Sequence, residues 1–207
     1  MDAAEISQRL VPFVSPSRLS AEQLERISIY IDILQRWNRK INLTAVRRPQ
    51  EMVIRHFGES LFAARHLLAD PLRVIDVGSG AGFPGVPMKI YAPAICLTLI
   101  ESNQRKAAFL REVIRALKLG ETEVFAGRAE DFAGSADLVT MRAVEKFERA
   151  LSAAVGLVAP LGRMVLLIGA RQVDAARRAA PRLVWEPALA IPGSNQRVLA
   201  VGLNQKG

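Results

Sequence analysis

Apolar positions recur at helical spacing in the first third of the chain and then contract into short continuous runs. Leu24, Ile27, Ile31 and Leu34 follow Ser20, a residue suited to cap a helix, and predict an amphipathic helix ending near Trp37. Ile41 to Val46 is irregular. Pro49 can open a second helix whose apolar face is Met52, Val53, Phe57, Leu61 and Phe62. The first 70 residues therefore read as helical, and Asp70-Pro71 breaks the pattern. Beyond it lie strand candidates at Val74–Val77, Leu97–Ile100, Val124–Ala126, Leu138–Met141 and Met164–Ile168. A helix is predicted from Asn103 to Leu119, with Leu110, Val113, Ile114 and Leu117 on one stripe and Gly120 just past the end. This βαβα alternation implies an α/β fold with a mostly parallel sheet covered on both faces. Leu183–Ile191 and Arg197–Leu203 flank the turn-rich Pro192-Gly193-Ser194-Asn195 and predict an antiparallel C-terminal hairpin that finishes the sheet at its edge.

A chain of 207 residues can bury roughly 70% of its extended surface without disulfides or metals. We expect a helical N-terminal segment, residues 1–70, packed on a main domain of residues 71–207. The single cysteine, Cys96, excludes an internal disulfide and a multi-thiolate zinc site, and is expected to pack as a small apolar residue. His56 and His66 stand ten apart with no cysteine cluster, so no metal set is expected. The longest apolar stretch, Ala92–Ile100, is too short to cross a bilayer, and no secretory signal opens the chain. Both point to a cytoplasmic protein. Twenty-eight Lys and Arg against twenty Asp and Glu give a net charge of +8. The excess is concentrated in Arg39–Arg55, with Arg39, Lys40, Arg47, Arg48 and Arg55 against Glu51, and again in Arg142–Arg182. A polyanionic partner is the natural expectation.

The sharpest local signal follows the first strand candidate: Asp76-Val77-Gly78-Ser79-Gly80-Ala81-Gly82-Phe83-Pro84-Gly85. Gly80, Gly82 and Gly85 match G-x-G-x-x-G, the dinucleotide fingerprint. Asp76 with Gly78, Gly80 and Gly82 also spells D-x-G-x-G-x-G, which resembles the first motif of S-adenosylmethionine-dependent methyltransferases, where the glycines line the amino-acid end of the cofactor. Glu101, at the end of the second strand candidate, can accept from the ribose hydroxyls of either cofactor. The reversed terminal hairpin and the short chain after the motif favour the methyltransferase over an NAD-dependent dehydrogenase. A small-molecule methyltransferase would have no use for two basic stretches. A noncatalytic RNA-binding factor would have no use for the glycine loop. No G-K-[ST] phosphate loop and no G-x-S-x-G elbow occurs. His56 with Ser60 at helical spacing reads as a local hydrogen bond rather than a dyad, and Trp37 as a packing residue rather than a base-stacking platform.

Taken in order, Trp37-Asn38, Asn42-Leu43-Thr44, Arg55-His56, Glu59-Ser60, the Asp76–Gly85 loop, Glu101-Ser102, Arg105-Lys106, Phe109-Leu110, Arg128-Ala129-Glu130 and Arg142-Ala143 resemble the ribosomal RNA small-subunit methyltransferase G family, also called glucose-inhibited division protein B. The resemblance implies a Rossmann-like S-adenosylmethionine-dependent methyltransferase fold. It also implies methyl transfer from S-adenosylmethionine to N7 of one guanine in 16S ribosomal RNA, met as such or in a small-subunit assembly intermediate, by a monomer. Position by position it implies cofactor contacts at Gly78, Gly80, Gly82, Phe83, Ala129, Glu130 and Arg142, with Glu101 on the ribose. Asn42, His56, Arg142 and Arg197 become the candidates for activity or RNA contact. RNA would run over Arg39, Lys40, Arg47, Arg48 and Arg55. The chain departs from the family pattern at Glu59, where Asp is usual, and at Leu167-Ile168-Gly169, where Lys is usual at the middle position; Arg171 is the nearest replacement cation. Guanine N7 carries an in-plane lone pair and no proton, so the reaction needs positioning and charge stabilisation rather than a general base.

Overall fold

Strands that are apolar on both faces need cover on both, and the order of elements supplies it. A computed structural model describes residues 1–67, 72–144 and 147–205. The sheet is built from β1 (Arg73–Val77), β2 (Cys96–Ile100), β3 (Thr122–Phe125), β4 (Ala136–Arg142), β5 (Val158–Gly169), β6 (Val184–Trp185), β7 (Leu189–Ala190) and β8 (Arg197–Leu203). Its order is β3-β2-β1-β4-β5-β8-β6, with β7 also on β8. Strands β1 to β5 pair in parallel and β8 runs antiparallel to β5. The chain moves outward from β1 to β3, then returns to the other side of β1 for β4. This reversal leaves a crevice at the C-terminal strand ends, where open α/β sheets bind ligands.

Helices α1 (Ala3–Val14), α2 (Ala21–Ile41), α3 (Pro49–Met52), α4 (Glu59–Leu67), α5 (Gly85–Tyr91) and α6 (Gln104–Ala116) share one apolar core on one face of the sheet. Helices α7 (Phe147–Gly156) and α8 (Val173–Ala179) cover the other. Along β5 the alternation is visible residue by residue: Val165 and Leu167 enter the first core, and Met164, Leu166 and Ile168 the second.

The antiparallel hairpin finishes the sheet as expected, with β8 beside β5 and the short β6 and β7 outside it. Two sequence expectations need correction. The expected strand Leu183–Ile191 is split into β6 and β7, with Pro187, which has no N–H to give a ladder, falling between them. Cys96 is exposed at the start of β2 rather than packed. The Asp70-Pro71 break lies outside the described residues.

Ser20 and Gln23 close the capping box predicted for α2. The helix is 21 residues long, enough to carry Tyr30 under the glycine loop. Tyr30 is fully buried. Its hydroxyl donates to the Ala81 carbonyl, its ring stacks on Phe83 at 5.4 Å, and Phe57 meets it edge-on at 5.2 Å. Contacts of this kind contribute about 0.5–1.5 kcal/mol per aromatic pair beyond burial. They fix the loop to the N-terminal helices.

Between α3 and α4 the helix widens to a π turn, Val53–Gly58, which brings His56 to the crevice. Such turns recur at functional sites. Gly82 belongs to this packing and not to a ligand face. It has φ +82°, and a Cβ there would meet the Tyr30 hydroxyl at 2.3 Å and Val86 at 3.0 Å. Gly82→Ala should therefore lower unfolding stability by about 2–3 kcal/mol through strain and overpacking, read as a lower denaturant midpoint at unchanged slope. A midpoint equal to wild type would show that the loop can yield.

Candidate functional site

The crevice at the C-terminal strand ends is a cavity of about 700 Å³ whose lining includes Gly78 and Gly80 after β1, Glu101 after β2, Arg128, Ala129 and Glu130 after β3, and Arg142 ending β4. Thr44, His56 and Phe83 close its N-terminal-helix side. Its size suits a nucleoside-sized ligand with room beside it.

Glu101 is buried. Its Oε2 accepts from the Gly80 amide at 2.8 Å and its Oε1 from the Asn103 amide at 2.7 Å. Each carboxylate oxygen keeps lone-pair capacity, so Glu101 is oriented by backbone and can still accept two neighbouring hydroxyls. Gly80 sits at φ +56°, and a Cβ there would meet nothing nearer than the Gly78 carbonyl at 3.7 Å. That space belongs to the cavity and is open to a ligand. Glu130 is exposed at the rim, 3.5 Å from Arg149. Asp76 is fully buried, accepting from Thr140 Oγ1 at 2.9 Å and the Gly85 amide at 3.2 Å. It therefore builds the loop from behind. Burial pushes its carboxyl up to about 7, against those hydrogen bonds.

The other end of the cavity is a corner made by Arg142. Its Nη2 donates to the Arg55 carbonyl at 2.7 Å and contacts His56 Nδ1 at 3.2 Å. The same nitrogen lies 3.2 Å from Glu59 Oε2, which is also 2.9 Å from Arg197. Burial pulls Arg142 down to about 10, leaving it charged at neutral pH. Burial, together with Arg142, Arg55 and Arg197, pushes His56 down to about 3, so the imidazole is neutral. Burial raises Glu59 despite its two arginines.

A guanidinium only donates, so His56 Nδ1 must accept, and the ring proton falls on Nε2. Nε2 lies 2.8 Å from Thr44 Oγ1 and donates to it; the Val46 amide donates to the same oxygen at 3.1 Å. With two hydrogen bonds accepted, the Thr44 hydroxyl keeps its own proton for the cavity it lines. Asn38, buried at the end of α2, fixes this loop by donating to the Thr44 carbonyl at 3.0 Å and accepting from its amide at 2.8 Å. Phe83 stacks on the His56 ring at 4.7 Å.

The structure thus brings together Gly78, Gly80, Phe83, Glu101, Ala129, Glu130, Arg142 and His56. Other expected residues fall elsewhere. Gly82 packs under the loop. Asn42 caps α2 at φ 49°, is exposed, and accepts from Arg47 at 3.0 Å. Arg197 reaches Glu59 from β8 and lines a neighbouring cavity with Arg55. Arg39, Lys40, Arg47 and Arg48 are exposed around the end of α2 and the following loop. Ser60 donates to the His56 carbonyl at 2.6 Å, the local bond expected, and Trp37 Nε1 donates to Glu112 at 2.9 Å against α6. Sequence reasoning assigned no site role to Asn38, Thr44 or Glu59.

The fold and the cavity define a Rossmann-like S-adenosylmethionine-dependent methyltransferase. Two solved structures share that fold: magnesium protoporphyrin IX methyltransferase from Synechocystis PCC 6803 with bound SAM (TM-score 0.64, 14% identity, 86% of this chain and 97% of that one), and a ribosomal protein L11 methylase from Lactobacillus delbrueckii subsp. bulgaricus (TM-score 0.61, 13% identity, 74% and 79%). A family profile described as rRNA small subunit methyltransferase G matches residues 23–189, and the chain belongs to that family. Proteins named ribosomal RNA small subunit methyltransferase G include one from Desulfitobacterium hafniense (strain Y51), 42% identical over 146 residues, 68% of this chain and 60% of that protein. Another, from Xanthomonas campestris pv. campestris (strain B100), is 35% identical over 193 residues, 91% and 90%. The match thus spans less than two thirds of the Desulfitobacterium protein and most of the Xanthomonas one.

Two outcomes follow from this geometry. Gly80→Val should abolish S-adenosylhomocysteine binding in a folded protein, since a branched side chain fills the cradle and resists φ > 0. Glu101→Gln should weaken it by about 1–3 kcal/mol. Calorimetric affinities equal to wild type in both would disconnect the cradle from the cofactor. The second outcome concerns pH. Asp76 titrates at about 7 in the fold and near 3.9 in an unfolded chain. The native state binds more protons between those values, and its stability falls as pH rises through them. His56 acts oppositely: at about 3 in the fold and near 6.5 unfolded, its contribution is intact at neutral pH and lost as pH falls below 6.5. Asp76→Asn removes only the first slope. Its stability relative to wild type should rise by roughly 1–3 kcal/mol from pH 4 to 7, and a difference independent of pH would contradict the assignment.

Proposed function

We propose that the protein transfers a methyl group from S-adenosylmethionine to N7 of a guanine in 16S ribosomal RNA. We place this reaction in the cytoplasm, on RNA of a small-subunit assembly intermediate. The observation that carries the reading is one cavity with two unlike ends: an oriented carboxylate beside an open glycine cradle, and a corner whose imidazole is neutral. We take it to act as a monomer. Membership of the rRNA small subunit methyltransferase G family supports the substrate.

The residues fit the cofactor. Glu101 would accept the ribose hydroxyls, Ala129 and Glu130 would border the base at the β3 end, and Gly78 and Gly80 would let the amino-acid end approach the backbone. When bound, S-adenosylmethionine supplies an electrophilic methyl on a sulfonium. The target base then lies toward β4, because β2 and β3 take the adenosine and the corner belongs to Arg142 and His56.

Guanine N7 has no proton to lose, so nothing at this end needs to act as a base. His56 at about 3 neither takes up a proton near neutrality nor places a cation beside a purine that becomes positive. The free Thr44 hydroxyl suits an acceptor such as guanine O6, where adenine would present a competing donor. Arg39, Lys40 and Arg48 lie exposed beside this end and would meet phosphates.

Unmodified 16S ribosomal RNA incubated with the protein and S-adenosylmethionine should gain one 7-methylguanine, detected by mass spectrometry of nuclease digests. Single-turnover rates at saturating RNA should change less than about threefold between pH 6 and 8. A methyl group on another atom, or a tenfold rate loss per pH unit on acidification, would refute the reading.

A further inference from the structure

Among the described residues, the buried side-chain polar atoms with no hydrogen-bond partner are Glu59 Oε2, Arg142 Nη1 and Arg197 Nε. All three belong to one cluster. Glu59 Oε2 pairs in charge with both arginines, at 3.2 and 2.9 Å. The cluster holds two guanidinium groups, one carboxylate and a neutral imidazole, so it carries one positive charge in excess. Buried ions cost several kcal/mol unless paired and hydrogen-bonded, and orphaned buried donors are uncommon in folded proteins. One anion is missing.

The place for it adjoins the cluster. A second cavity of about 830 Å³ lies on the far side of Glu59, lined by Arg55, Arg197, Arg171 and the Pro192–Gln196 turn. Its acid, Glu59, is already committed to two arginines. Arg171 stands on the turn after β5 and Arg197 opens β8, both at the C-terminal edge of the parallel strands, where the first cavity also opens. Arg55, which lines the second cavity, and His56, which lines the first, are consecutive on the π turn.

We propose that this second cavity is a phosphate subsite that takes one phosphodiester of the RNA, next to the nucleotide seated in the first cavity. Guanidinium forks match phosphate oxygens, and the subsite offers the partly exposed Arg197 side chain with two flanking arginines. The bound phosphate completes the cluster's charge and holds Arg142 against His56. It rests on the RNA reading above.

The test uses the full chain saturated with S-adenosylhomocysteine. It is titrated with inorganic phosphate, and with a short guanine-containing single-stranded RNA whose linkages beside the guanine are either native or neutral methylphosphonate. Arg171→Ala should weaken phosphate binding about fivefold and flatten the RNA salt slope by about 0.7. Methylphosphonate should weaken RNA binding to the wild type but bring little further loss in Arg171→Ala. Glu59→Gln should tighten phosphate binding, because the second guanidinium loses its counterion, while Glu59→Asp stays within about threefold of wild type. A purely structural Glu59 gives the opposite sign.

The proposal is overturned by wild-type phosphate affinity and salt slope in Arg171→Ala, or by a Glu59→Gln protein that melts like the wild type yet binds phosphate more weakly. Should Glu59→Gln fail to fold, the Arg171→Ala and methylphosphonate cycle decides alone. Failure of the methylation reading is separate: wild-type protein would bind phosphate and RNA with these dependences and transfer no methyl to guanine N7.

Discussion

The guanidinium of Arg142 joins the two halves of the site. A buried cation at the end of β4 needs partners, and it finds them on the N-terminal helices: the Arg55 carbonyl, the His56 ring and the Glu59 carboxylate. Removing such a partner leaves an uncompensated charge, which typically costs about 3–5 kcal/mol. The helices are thereby committed to one placement over the sheet. The same contact sets chemistry, because a donor at Nδ1 dictates the imidazole tautomer and hands the Nε2 proton to Thr44. Packing, protonation state and the polarity of the cavity wall are consequences of a single contact.

The glycine loop is held from the opposite direction by groups that never meet the ligand. Asp76 receives the Gly85 amide and the Thr140 hydroxyl from beneath, and Tyr30 receives the loop from the helical side. Because both supports are buried, the loop's ligand-facing backbone is oriented before anything binds. Orientation that precedes binding reduces the ordering cost at the moment of association. Gly80 faces the cavity and Gly82 faces Tyr30, so neighbouring glycines of one motif serve a ligand and a phenol ring respectively.

What was legible in the sequence follows the range of the forces involved. Helix stripes such as Leu24 to Leu34 and strand runs such as Val74–Val77 are local periodicities, and they appeared where expected. The glycine motif with Glu101 spans 25 positions but one βαβ unit, and it too could be read. The insertion of β8 between β5 and the short β6 and β7 could not, since hairpin chemistry fixes the turn and says nothing about which partner takes the outer place. Asn42 illustrates the same limit. Its type and position suited activity, yet the left-handed conformation that ends α2 uses Asn for backbone reasons. Thr44 became interesting only when His56, Arg142 and Val46 surrounded it. A hydroxyl's availability depends on every partner it already has.

Glu59 carries this dependence furthest. At this position the family pattern resembled by the sequence has Asp, and one further methylene lengthens the reach of the carboxylate. Here that carboxylate spans from Arg142 on β4 to Arg197 on β8. One carboxylate so shared between two guanidinium groups leaves the cluster with one more positive charge than its acid balances. A cluster so arranged is least comfortable when empty and gains most from an anion arriving at its open side. Arg197 lines the second cavity and Arg142 the first, and each carries one buried nitrogen without a hydrogen-bond partner. Positive charge therefore borders both cavities, Arg142 the first and Arg197 the second, and under the proposed reading a phosphodiester would meet it in the second.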